Sequence, residues 1–136
     1  YSECFETSTT LSHSDRLGLI AKKTNKLLVR YQPDGLAVES LFFNQNITTA
    51  IKVAEVRGVL LSQTALVGLP TFECNPSEIK NTVTGYGKST KKDIKKMLDL
   101  QFPELRGQNK IDDEYDAIAV GITCLLKESN SFRNLC

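Results

Sequence analysis

At 136 residues the chain has the length of one domain, and 40% apolar content is enough for a buried core. With 24% charged residues and a net charge of +1, it is neither a disordered tail nor a uniformly basic nucleic-acid binder. No apolar run approaches the length of a membrane span, and the first residues do not read as a signal peptide. Cys4, Cys74, Cys124 and Cys136 lie far apart, form no C-x-x-C pair and are joined by a single histidine. They argue against a zinc site and read as reduced thiols of a cytosolic protein.

The chain opens at Tyr1, and "YSECFETS" reads as a strand with loose alternation that is the middle of something longer. In "LSHSDRLGLIAKKTNKLLVRYQPD" a helical rhythm follows, with Leu17, Ile20, Ala21, Thr24, Leu27, Leu28 and Tyr31 on one stripe. Ser12 or Ser14 caps it and Pro33 ends it. Pro33-Asp34-Gly35 is a turn, and residues 36–39, "LAVE", form a short strand whose last residue, Glu39, carries a charge at the edge of the core. Asn46 is the expected cap of a second helix, "ITTAIKVAEVRGVLLSQTALVG". That helix is apolar on more than half its circumference, which suits burial against its own sheet and against a partner chain. A second strand, "LPTFEC", leads to a short helix from Pro76 to Thr82, and Gly85-Tyr86-Gly87 makes a bend. "KSTKKDIKKMLDLQF" predicts an amphipathic helix with Ile94, Met97 and Leu98 inward, "PELRGQNK" a polar loop, and "IDDEYDAIAVGITCLLKES" the last helix. There is no internal repeat. The alternation gives an α/β class with some parallel pairing, yet two clear strands and a ragged third are few for a sheet.

Asp112, Asp113, Glu114 and Asp116 crowd the start of the last helix. Acidic residues there complement the helix dipole, and that alone accounts for them in many proteins. The apolar "AIAVGITCLL" that follows buries the helix nearly from its start, and Asp113 and Asp116 share one face. Together with Glu39, at the carboxyl end of a strand where α/β folds place their sites, they would supply hard oxygen ligands for Mg²⁺ or Mn²⁺.

The same residues resemble a family. "YQPDGLAVESLFFNQNITTAIKVAEVRGVLL" is similar to the second block of the RuvC-type Holliday-junction resolvases, where a glutamate ends a central strand and a phenylalanine follows three residues on. "EIKNTVTGYGKSTKKDI" resembles their next block, with a lysine before a T-V-x-G-x-G bend and a second lysine after it, and "DDEYDAIAVGIT" resembles their closing D-x-x-D-A-[LI]-A helix. The resemblance runs in the family's order from residue 1 to about 128. It implies an RNase H-like mixed sheet flanked by helices, and a homodimeric endonuclease that nicks two opposed strands of a four-way DNA junction with Mg²⁺, two ions in all, Mn²⁺ able to substitute. It assigns Glu39, Asp113 and Asp116 as metal ligands and catalytic residues. Lys80 and Lys91 become DNA contacts, with Lys91 also stabilising the transition state, and Phe42 stacks on an unpaired base. A branch-migration motor is the implied partner, the location cytoplasmic, and no membrane is involved. One departure stands out: the family's opening strand with its G-[IL]-D-P-G aspartate, and the hairpin partner after it, have no counterpart here. The chain therefore reads as a single nuclease domain over 1–136 lacking the family's first two strands, and as such is expected not to cleave.

Physical chemistry supports that reading. Residues 80–110 hold eight Lys/Arg against three Asp/Glu, a local balance of +5 that leaves −4 for the rest. Lys95 and Lys96 read as a solvated helix face, whereas Lys80, Lys88, Lys91 and Lys92 flank the Gly-Tyr-Gly bend and can meet phosphates. Of the two adjacent aromatics, Phe43 is expected inward and Phe42 outward. His13, at a helix start, reads as a surface residue. Two rivals remain: another RNase H-like nuclease, and a non-catalytic module that binds branched DNA.

Overall fold

Ser12 opens the first helix: its hydroxyl accepts the backbone N–H of Asp15 at 3.1 Å, satisfying one of the orphan donors of the first turn. In the computed structural model, which describes residues 1–41, 47–107 and 110–133, this helix is α1, His13–Tyr31. After it come β1 (Leu36–Glu39), α2 (Ile47–Leu66), β2 (Thr71–Cys74), α3 (Pro76–Thr84), α4 (Lys91–Gln101), a 3₁₀ turn at Pro103–Leu105 and α5 (Asp112–Arg133). Asn46, the expected cap of α2, and Phe42 and Phe43 lie outside the described residues. The short 3₁₀ turn falls where the sequence promised only a polar loop, with Pro103 at its first position, where a missing N–H costs nothing.

β1 and β2 form the sheet. Leu36 N–H donates to Pro70 O and Ser40 N–H to Cys74 O, both at 2.9 Å, so the two strands advance together and are parallel. The chain divides into two compact units, one of Phe5–Leu36 with Leu41–Phe72, the other of Tyr1–Cys4, Ala37–Ser40 and Glu73–Cys136. The expected opening strand does not form: residues 1–8 carry no regular secondary structure. Tyr1 and Phe5, the large apolar members of its alternation, are 78% and 44% exposed, so no buried face fixes a strand register.

Within the first unit, α1 packs on α2. His13 Nε2 meets Glu55 Oε2 at 2.7 Å across the pair; both side chains are substantially exposed, so the contact contributes at most about 1 kcal/mol. α1 buries none of its residues, and Ile51, Val53 and Leu66 of α2 are exposed. Gly35 is required by packing, because a Cβ there would lie 2.7 Å from Cε2 of Phe72.

Helical spacing builds the core of the second unit. Ile79 and Val83 of α3, Ile94 and Leu98 of α4, and Tyr115 and Ala119 of α5 are each four residues apart on one face, and all six are buried together with Cys74 and Val120. Ala37 of β1 and Met97 pack against them. The buried phenol of Tyr115 is satisfied by Asp99 Oδ1 at 2.8 Å. Capping boxes start two of these helices: Asn75 with Glu78 on α3, and Thr90 with Asp93 on α4. Lys110 Nζ bonds Ser2 Oγ at 2.7 Å and Glu114 Oε1 at 3.3 Å, which ties residues 1–4 to this unit.

Cys74 and Cys124 are free thiols. Burial pushes Cys74 above the usual thiol range, and Cys124 likewise, while Cys4 is exposed. Alkylation of the folded chain at pH 8, mapped peptide by peptide, is expected to modify Cys4 first and Cys74 only on unfolding. Equal rates at the two positions would contradict this packing.

Candidate active site

Glu39 ends β1 at the carboxyl edge of the parallel pair, because the strand stops where its last backbone partner, Cys74, meets Ser40. Asp116 stands one turn into α5, and its helix is pinned beneath it by buried Tyr115, Ala119 and Val120. Lys91 is the first residue of α4, placed there by the Thr90 cap, and Lys80 projects from α3. These four side chains line one cavity of about 300 Å³, with Pro76, Ile79, Ser89, Thr90, Ile94 and Val120 completing its wall. Its lining combines apolar side chains and two hydroxyls with two acids and two cations.

The charges interact closely. Lys91 Nζ donates to Asp116 Oδ2 at 2.7 Å. That hydrogen bond holds the ammonium above its usual range, and the negative charges of Asp116, Asp113 and Asp112 add to the effect. Glu39 behaves in the opposite sense to a paired acid: desolvation raises its carboxyl above the ordinary value, the charge of Asp116 raises it further, and Lys91 and Lys80 offset only part of that. Two carboxylates thus share a partly desolvated cavity with incomplete compensation. A divalent cation between hard oxygen donors resolves such a conflict, so the donor chemistry of Glu39 and Asp116 fits one.

Asp113 behaves differently. It is exposed and does not line the cavity, although its charge reaches Lys91. Among the described residues, no three His, Cys, Asp or Glu side chains are grouped closely enough to hold a metal ion. Glu39 and Asp116 therefore come together, and the expected third carboxylate is not drawn in with them. Lys88 and Lys92 are exposed; Lys92 belongs to a separate groove with Lys95, Lys96, Asp99, Leu100 and Arg106. Phe42 lies outside the described residues. Ser89 and Thr90 were not singled out in the sequence, yet both line the cavity. The T-x-x-D spacing of Thr90 and Asp93 was the available signal, since it marks the helix start that places Lys91.

The match of known proteins to this chain covers these elements. The family model described as "Crossover junction endodeoxyribonuclease RuvC" matches residues 1–124. The chain belongs to the RuvC family. The RuvC of Thermosipho melanesiensis is 44% identical over 126 residues, which cover 90% of this chain and 77% of that protein. The RuvC of Brevibacillus brevis is 43% identical over 108 residues, 79% of this chain and 64% of that protein. Thermus thermophilus RuvC in complex with a Holliday junction substrate superimposes with a TM-score of 0.82 at 26% identity, covering 90% of this chain and 74% of that one. The mixed α/β arrangement of small sheet and helices is accordingly the RNase H-like fold of the RuvC proteins. No helix among the described residues is long and apolar enough to cross a membrane.

Proposed function

We propose that this chain is the nuclease domain of a Holliday-junction resolvase, a divalent-metal-dependent endodeoxyribonuclease that nicks two opposed strands of a four-way DNA junction in recombination and repair. The observation that carries the reading is the single cavity in which Glu39 and Asp116 meet Lys80 and Lys91. Acidic oxygens beside cations are what phosphodiester hydrolysis needs: a place for metal, and positive charge for the phosphate. Glu39 and Asp116 would hold Mg²⁺ or Mn²⁺, in two sites when DNA is bound. The metal supplies activation of a water and stabilisation of the leaving 3′-oxygen.

The chain's own residues do the rest. Lys80 and Lys91 bind the non-bridging oxygens of the scissile phosphate, and Lys91 exchanges its contact with Asp116 for the negative charge on those oxygens in the transition state. Lys88 and Lys92 hold neighbouring phosphates, which confers salt dependence without sequence preference. Phe42 stacks on a base unpaired at the crossover. The exposed apolar side chains of α2 suit a homodimer, whose two-fold axis places two such cavities on two strands of a near-symmetric junction. A cytoplasmic location and a branch-migration motor as partner complete the proposal.

The test is a synthetic four-way junction with an end label, incubated in 10 mM Mg²⁺ with full-length native protein that carries the family's opening strand, beside the matching duplex, a flap and an RNA–DNA hybrid. Symmetric nicks in the junction, abolished by EDTA and at least about tenfold faster than on duplex, are expected. Preferred cutting of the hybrid or flap would make it a different nuclease, and metal-independent binding of the junction without any cleavage would make it a binding module.

A further inference from the structure

The bend that follows α3 carries a tyrosine that neither the core nor the cavity uses. Tyr86 is 61% exposed, although it is a large ring in a segment whose backbone is firmly held. Its N–H donates to Thr84 Oγ1 at 3.2 Å, and its carbonyl accepts from Ser89 N–H at 3.1 Å and from Ser89 Oγ at 2.7 Å. Thr84 and Ser89 are themselves joined through their hydroxyls at 2.6 Å, and Thr84 Oγ1 also donates to Lys80 O at 2.8 Å. Both polar groups of the Tyr86 backbone are thus committed, which leaves its side chain as the group this residue presents.

The flanking glycines serve the same end. Gly85 ends α3 at φ +78, a conformation that side chains strain to adopt, and a Cβ on Gly87 would come to 3.0 Å from Ser77 Oγ. Ser89, which anchors the loop from below, is 7% exposed and lines the cavity shared by Glu39, Asp116, Lys80 and Lys91. Lys88, beside it, is exposed. An aromatic ring on a braced loop, next to cations and one residue triplet from a phosphate-binding cavity, loses little entropy on meeting a flat partner.

We propose that Tyr86 is a nucleobase-stacking site. Its ring takes the face of a base left unpaired beside the scissile phosphate and sets the path of that strand into the Lys80–Lys91 cavity. The hydroxyl is incidental; the ring face is the recognising element. The inference rests on the proposed action on branched DNA, and it adds a contact separate from the one assigned to Phe42.

Three substitutions test it. Tyr86→Phe keeps the ring, and Tyr86→Leu keeps apolar bulk without a π face. The chain contains no tryptophan, so Tyr86→Trp introduces a lone indole whose emission a stacked base quenches. In EDTA, Tyr86→Leu is expected to bind a four-way junction about five- to a hundredfold more weakly than wild type, and Tyr86→Phe within about twofold. Indole emission of the Tyr86→Trp variant should fall at saturation with junction or with a single-stranded oligonucleotide, and much less with fully paired duplex. Equal affinities for the leucine and phenylalanine variants, or unquenched emission at saturating junction, overturn the stacking site and leave the resolvase reading intact. Quenching of the Tyr86→Trp variant by single-stranded DNA, with a wild-type protein that neither prefers nor cuts junctions, keeps the stacking site and defeats the resolvase reading. Failure to bind either DNA defeats both.

Discussion

Exchanging Glu39 for glutamine in the full-length protein should abolish junction cleavage while leaving the junction bound. The substitution keeps the volume and hydrogen-bonding reach of the side chain and removes only the charge. Outer-shell partners of a metal site typically cost about 10–100-fold when lost, so a direct ligand should cost roughly a hundredfold or more in the cleavage rate. Binding should move the other way. Without metal, Glu39 and Asp116 present two acids to an approaching phosphate, and removing one leaves Lys80 and Lys91 less opposed. A Glu39→Gln protein in EDTA should therefore hold the junction at least as tightly as wild type in a gel-shift titration. Loss of cleavage together with loss of binding would mean that Glu39 supports the fold and not the reaction.

The largest effect on stability is expected at Leu98. Its side chain is fully buried where α3, α4 and α5 meet, among Cys74, Ile79, Val83, Ile94, Tyr115 and Ala119. Truncation to alanine removes the transfer energy of the missing methyl groups and leaves a cavity that the three surrounding helices cannot easily collapse, about 2–5 kcal/mol in all. Leu100→Ala, two residues along the same helix but 55% exposed, should stay within about 0.5 kcal/mol. Urea unfolding of the two variants followed by circular dichroism separates them. Similar midpoints would show that α4 is not held as described, and with it the position of Lys91.

Much of this was legible in the residues. The spacing of Ile94 and Leu98 announced α4 and its inward face, and Ser12 or Ser14 the start of α1. Glu39 and Asp116 could be paired from a strand end and an acidic helix start, whereas Lys80 and Lys91 joined them through the family resemblance, because that convergence depends on non-local packing that no local pattern encodes. Two expectations met physics that the sequence hides. "YSECFETS" has the alternation of a strand, but alternation needs a neighbouring strand to bury one face, and Tyr1 and Phe5 remain exposed. Asp113 and Asp116 share a helix face in projection, yet the cavity takes only the aspartate that lies deeper along α5, where Lys91 also reaches. The bracing hydroxyls of Thr84 and Ser89 were invisible for a different reason: serine and threonine in a polar bend look alike whether they tie the bend or face water.

The central claim is that Glu39 and Asp116 hold one hard divalent ion between them. Mn²⁺ titration followed by the electron paramagnetic resonance signal of the free ion measures this without reference to cleavage. The account predicts binding by the wild-type protein, competed by Mg²⁺, and weakened at least about tenfold by Glu39→Gln and by Asp116→Asn alike, with Leu100→Ala unaffected. Unchanged Mn²⁺ binding in both carboxylate variants would contradict it.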